Sequence, residues 1–213
     1  MKTRIFNLII IDESGSMESI KQQAIDSVNE TIQTIRAAQQ RNENQDHFVT
    51  LVTFNDYVKV VNECVGVDEV NELTAESYLP NCCTALYDAM GFSLNALKTK
   101  VAQDDKVLVT VVTDGYENAS REYSGRAIKK LVDELKSRGW VFAYIGANQD
   151  VEAVAASISI TNTMYFETTD EGVKKMSKNL SNSRACWYDR VEKREANSEE
   201  DNKSFFSKWF DKK

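Results

Sequence analysis

Two acidic residues, Asp12 and Asp114, each stand directly after a run of β-branched apolar residues. The first run leads into Asp12-Glu13-Ser14-Gly15-Ser16-Met17 and the second, through Thr113, into Asp114-Gly115. Between them Asn81-Cys82-Cys83-Thr84 opens a helical pattern. In open α/β sheets ligands sit beyond the carboxyl ends of the strands, where the strand order reverses. If the two runs flank that point, Asp12 and Asp114 face each other across one crevice. Two carboxylates so placed repel unless a cation lies between them, and the hydroxyls of Ser14, Ser16 and Thr84 are hard oxygen donors. Such a set suits Mg²⁺, with Mn²⁺ or Ca²⁺ as alternatives, and reads as unsuited to zinc. Two carboxylates balance the divalent charge, and neutral hydroxyls leave the ion electrophilic enough to accept an acidic group from outside.

Other chemistries fit less well. Asp-x-Ser-x-Ser alone is a moderate signal, since Ser16 could simply cap the helix that follows. A calcium loop of the helix–loop–helix kind fails because Met17 stands where glycine is needed and a strand precedes it. Neither G-x-G-x-x-G nor G-x-x-x-x-G-K-[ST] occurs at these turns. Phosphoryl transfer through Asp12 would want an acid two residues on, where Ser14 stands, and no lysine is evidently placed. A Mg²⁺-dependent phosphoester hydrolase using Asp12 is therefore the alternative reading. The single histidine, His47, excludes most histidine-based metalloenzymes. Its place at the start of the second strand, read as a strand edge, keeps it from a Ser-His-Asp triad at the crevice.

The elements that must position these groups alternate along the chain. Residues 4–11 read as a buried strand, residues 18–41 as an amphipathic helix with apolar positions three and four apart, and 48–54 with 57–61 as a hairpin turning at Asn55-Asp56. There follow a helix over 84–101, a strand over 107–112, a helix over 125–138 stopped by Gly139, a strand over 141–145, short helices over 150–157 and 170–180, and a weak strand at 164–166. This alternation predicts a doubly wound, Rossmann-like α/β domain over residues 1–180: a mostly parallel sheet, an antiparallel edge strand and helices on both faces.

Residues 181–213 read as a charged tail without a sustained apolar period, mobile over Asn197–Lys203. Its end, Phe205, Phe206, Trp209 and Phe210, lines one face of a possible helix that either docks on the domain or binds a partner.

The 213 residues carry a net charge of −7, and no basic block is present, so nucleic acid is not an expected partner. No apolar run is long enough to span a membrane. The apolar N-terminal run is broken by Asn7, ends in Asp12 and lacks a small-residue cleavage site, so it reads as a strand and not a signal peptide. Four cysteines without C-x-x-C spacing argue against a disulfide scaffold, and the expected state is a cytoplasmic monomer with reduced thiols.

Taken together, Asp12-x-Ser14-x-Ser16 after a buried strand, Thr84-Ala85-Leu86-Tyr87-Asp88-Ala89 opening a helix, and Thr113-Asp114-Gly115 closing a strand resemble the von Willebrand factor type A domain, of the intracellular bacterial type. These are the parts of its metal-ion-dependent adhesion site, in order, and the resemblance covers about residues 4–180. It implies that Ser14, Ser16 and Thr84 contact the metal directly, that Asp12 and Asp114 act through water, and that a Glu or Asp of a partner protein completes the coordination. It allows a role as adaptor for an AAA+ ATPase, and implies no catalysis. Family members commonly carry Gly-Gly where Cys82 and Cys83 stand. Two small, half-buried residues and a vicinal disulfide or redox gate over the site are the readings of that departure. Asp88 either supports the site from behind or faces solvent.

Overall fold

The computed structural model describes residues 2–147 and 150–207. Six strands, β1 (Thr3–Asp12), β2 (Gln45–Phe54), β3 (Val58–Gly66), β4 (Lys106–Thr113), β5 (Val141–Gly146) and β6 (Thr163–Tyr165), form one sheet in the order β3-β2-β1-β4-β5-β6. All neighbours are parallel except β2 and β3, which pair antiparallel with register shifts between Val49 and Leu51 and between Leu51 and Val52. The order reverses between β1 and β4, so Asp12 and Asp114 do flank the switch point.

Burial of β1 on both faces explains its near-continuous apolar sequence. Ile5, Ile9 and Ile11 pack toward α1 (Lys21–Arg41) and α5 (Asp170–Glu192). Phe6, Leu8 and Ile10 pack toward α2 (Leu86–Lys98), α3 (Gly125–Ser137) and α4 (Val151–Ser157). Each such side chain contributes about 1.5–3 kcal/mol on burial, which fixes the strand in the middle of the sheet. Gly139, at φ +90°, ends the turn after α3 as the sequence suggests.

The first helix starts differently from its expected form. A 3-10 turn over Gly15–Ile20 precedes α1, with Ser14 at its N-cap, and the Ser16 side chain bonds elsewhere. Similarly, α2 begins at Leu86, because Thr84 and Ala85 give their backbone N–H groups to Asn118 and Asn55 across two loops. His47 is a buried residue inside β2, not a strand edge. Its ring meets Tyr188 of α5 edge-on at 4.7 Å and its Nε2 bonds Gln45. It does lie at the amino end of the strand, opposite Ile5.

The largest correction concerns the segment after residue 180. The helix expected over 170–180 continues to Glu192, burying Val173, Met176, Ser177, Leu180, Ser183, Arg184, Trp187, Tyr188 and Val191. Those positions keep a helical period, but Ser177, Ser183 and Arg184 are polar and hide it. Inside the interface Arg184 donates to Tyr188 Oη at 3.0 Å, Asn7 Oδ1 at 3.3 Å and Thr110 Oγ1 at 2.6 Å. Asn7, the polar break in β1, is there to receive this helix.

The stretch expected to be mobile is helical as well, forming α6 (Ser198–Ser204), and Phe205 beyond it is buried. Asp201 takes the Trp187 indole N–H at 3.1 Å and pairs with Arg190. Asn202 receives the Phe142 N–H at 3.0 Å and donates to the Trp140 carbonyl at 2.8 Å. The aromatic end therefore docks through Phe205 and the partly buried Phe206; Trp209 and Phe210 lie outside the described residues.

Candidate metal centre

The end of β1 is tied down before any ligand is considered. The Asp12 carbonyl accepts from the Tyr78 hydroxyl, and the Glu13 N–H donates to the Phe54 carbonyl at 2.6 Å. Asp12 itself is fully buried and both its oxygens are occupied. Oδ1 accepts the Ser14 N–H at 2.7 Å and Oδ2 the Thr113 hydroxyl at 2.5 Å. Across the switch point Asp114 Oδ1 accepts the Ser16 hydroxyl at 2.6 Å, and Ser16 Oγ lies 3.2 Å from Ser14 Oγ. The fifth donor, Thr84 Oγ1, converges on the same space. A methyl group on Gly115 would sit 3.2 Å from it, 3.8 Å from Ser16 Oγ and 3.9 Å from Asp12 Oδ2. Asp12, Ser14, Ser16, Thr84 and Asp114 are thus gathered from three loops around a cradle that a single Cβ would enter.

The donor chemistry fits a hard divalent cation. Every group facing the cradle is an oxygen, and among the described residues no three His, Cys, Asp or Glu side chains cluster as metal ligands. Burial pushes Asp12 up to about 6, against the hydrogen bonds from Thr113 and Ser14, with the Asp114 charge adding to the rise. Asp114 is also raised, by burial, against the Ser16 bond. Two carboxylates held in so dry a place are short of positive charge.

Several positioning residues escaped the sequence reading. Glu13, the variable position in Asp-x-Ser-x-Ser, is buried, and its carboxylate accepts the Leu79 N–H while its carbonyl takes the Asn81 N–H at 3.0 Å. Asp88, which the sequence left between a supporting role and solvent, is buried and takes the supporting one. It accepts the backbone N–H groups of Arg121, Glu122 and Tyr123 at 2.8–3.0 Å, which pins the loop after β4 onto α2. Glu117 takes the Tyr87 N–H at the start of α2, together with the N–H groups of Ala119 and Ser120. Thr84 is bracketed by Asn118, whose side chain accepts its N–H and whose own N–H donates to its carbonyl. A local excess of Asp, Glu and Asn around the motifs was the available signal, but nothing in their spacing says which loop each one holds.

Cys82 and Cys83 are exposed, not half-buried, and both are free thiols. Cys82 holds φ at +60°, the conformation a glycine there would adopt, and its carbonyl accepts the Gly15 N–H at 3.2 Å.

Comparison with known proteins agrees with this arrangement. The family profile described as the von Willebrand factor type A domain matches residues 8–179. Among solved structures, a PilB minor pilin from Streptococcus sanguinis is 14% identical with a TM-score of 0.59, the match covering 87% of this chain and 62% of the pilin. A von Willebrand factor type A protein from Catenulispora acidiphila is 13% identical at a TM-score of 0.56, over 84% of this chain and 42% of that one. Proximal thread matrix protein 1 of the mussel byssus, with a zinc-occupied MIDAS motif, is 13% identical at 0.57, over 86% and 46%. Zinc in that protein shows that donor hardness alone does not exclude it from such motifs. The chain thus spans less than two thirds of each of these structures, and no curated protein sequence matches it. With its profile match over most of its length and the sheet order described above, the chain belongs to the von Willebrand factor type A domain family.

Proposed function

We propose that the chain is a metal-dependent protein-binding module, in which a Mg²⁺ ion held by Asp12, Ser14, Ser16, Thr84 and Asp114 accepts an Asp or Glu side chain of a partner. The observation that carries this reading is the convergence of these oxygens on the space beside Gly115. When bound, a divalent cation supplies an electrophilic position at the mouth of the crevice. The chain's own residues fix the Asp12 and Asp114 carboxylates and the Ser14 and Ser16 hydroxyls through hydrogen bonds. Mn²⁺ or Ca²⁺ would satisfy the same donors.

Phosphoester hydrolysis through Asp12 is disfavoured by the same geometry. Both carboxylate oxygens already accept hydrogen bonds, and the residue is fully buried, so attack on a phosphorus would require breaking the end of β1. The finer reading of an adaptor for an AAA+ ATPase rests on the family resemblance. The same reading takes the chain as a cytoplasmic monomer; its four cysteines are free thiols, and among the described residues no helix is long and apolar enough to cross a membrane.

The test is a pull-down with the full chain as bait, in magnesium and in chelator, with Asp12→Ala as the control bait. A partner retained in magnesium, lost in chelator and lost with Asp12→Ala is the expected result. In parallel, added Mg²⁺ should raise the melting temperature of the wild type only, since a ligand bound to the native state stabilises it by mass action. Equal shifts in both proteins would place the ion elsewhere, and phosphoester turnover by the purified chain would favour the hydrolase.

A further inference from the structure

We infer that Cys82 and Cys83 form a thiol modification site that governs the metal centre: a small-molecule disulfide converts the pair to a vicinal disulfide, and closing that ring withdraws the loop that sets Gly15 and Thr84. This rests on the metal-binding reading above. Both thiols are exposed and free. The next residue, Thr84, is buried with its hydroxyl in the donor cradle. Reagents therefore reach the cysteines from solvent while their backbone shapes the site.

In the reduced protein the left-handed conformation of Cys82 is held by neighbours on both sides. Its carbonyl accepts from Gly15 at 3.2 Å, the preceding Asn81 N–H donates to the Glu13 carbonyl at 3.0 Å, and the Asn55 amide donates to Asn81 Oδ1 at 2.8 Å. Ring closure acts on this same segment. Cα atoms joined by a trans peptide are about 3.8 Å apart, shorter than the roughly 4.4 Å at which ordinary disulfides begin, so adjacent sulfurs meet only over a narrow range of backbone angles on either side of that peptide. Those angles set the direction of the Cys82 carbonyl, which lies in that peptide. Closure thereby draws the carbonyl away from Gly15, in the turn that carries Ser16, and resets the backbone at Cys83, immediately ahead of Thr84. Covalent chemistry and metal ligation share one peptide plane.

The exchange balances without another reactant. One cysteine thiolate attacks a sulfur of the small disulfide, forming a mixed disulfide and expelling a thiolate. The second cysteine, deprotonated, attacks the protein-side sulfur of that mixed disulfide and expels the other thiolate. The protein loses two electrons and two protons, and the small disulfide becomes two thiols. Coupling between sites is reciprocal, so a metal that prefers the reduced loop must protect the thiols by the factor that closure costs it in affinity.

The experiment uses the full chain and two probes, magnesium chloride and oxidised glutathione. Mg²⁺ is titrated calorimetrically into the reduced protein and again after oxidation, with closure read as the loss of two hydrogens in the peptide carrying residues 82 and 83. The expected result is binding weakened by about tenfold or more on closure and restored by a dithiol reductant. At a fixed ratio of oxidised to reduced glutathione, saturating Mg²⁺ should lower the closed-to-open ratio by the same factor. Cys83→Ser should keep its Mg²⁺ affinity through the oxidising treatment. A pair that does not close in excess oxidant, or a closed protein whose affinity stays within about twofold of the reduced one, overturns the inference. A reduced protein that binds no Mg²⁺ in the first titration overturns the metal-binding reading itself, before any oxidant is added.

Discussion

Gly115 has no side chain of its own at the centre, yet its missing Cβ defines the room there. Gly115→Ala places a methyl 3.2 Å from Thr84 Oγ1, close enough that the hydroxyl must give way, and brings it toward Asp12 Oδ2 as well. The backbone at this position is not in the left-handed region, so the substitution should change stability without metal by no more than about 1 kcal/mol. Calorimetric titration should show Mg²⁺ binding lost or severely weakened, and an unchanged titration would locate the ion outside this cradle. That these five side chains would meet was legible in the sequence, because strand ends fix where a residue goes. Glu13 and Glu117 were not, and Asp88 was left between a supporting role and solvent. Each acts by accepting backbone N–H groups from a loop distant in sequence, and no spacing rule encodes which loop folds back on which helix.

At the level of elements, the segment after residue 180 was misread because its anchoring is polar. Helix α6 is held by the carboxylate of Asp201 and the amide of Asn202, and apolar periodicity cannot report such contacts. Asn202→Ala would leave the Phe142 N–H and the Trp140 carbonyl short of a partner in a buried place. The expected cost is about 2 kcal/mol, or roughly 4–8 °C in a chain of this size, measured by thermal unfolding. Because β5 is gripped there at its amino end, whereas the metal centre lies at the carboxyl ends of β1 and β4, the variant's Mg²⁺ affinity should match that of the wild type. A loss of affinity equal to that of Asp12→Ala would mean that the two ends of the sheet are coupled.

For the whole molecule, one contribution to the pH dependence of stability arises far from the crevice. Burial holds His47 down at about 4, with Arg184 adding to the effect and Asp46 opposing it, against an ordinary value of 6.5. Between those values the unfolded chain takes up a proton that the folded chain refuses. Stability is therefore full above about pH 6.5 and falls as the pH drops toward 4, by about 3 kcal/mol from this group. Asp12, pushed up to about 6, works the other way across the same window, so the quantity to read is the difference: in denaturant unfolding, the wild type should lose stability relative to His47→Gln as the pH drops, and parallel profiles would contradict it. The doubly wound architecture was legible because each parallel strand is a continuous apolar run between amphipathic helices. His47 and Arg184 were not, since a polar residue in a core is placed by its partners across the fold and not by its neighbours in sequence.

The edge strand β3 has a consequence for solubility. Its outer side is the longer of the sheet's two rims, β6 being the other, and a foreign strand could add there, yet the pairing behind it slips twice and Cys64 takes a positive φ. Irregularity and charge are the common protections of such rims. Lys59 and Glu63 are exposed along this strand, Lys59 anchored to the Ser77 carbonyl and Glu63 to Lys100. Replacing both by valine should leave magnesium binding intact while light scattering reports self-association that grows with concentration. A valine pair that stays dispersed would move the protection to the bulged backbone alone. On this account the surface that stays clear of unwanted β-pairing is separate from the surface that selects a partner, and each can change without the other.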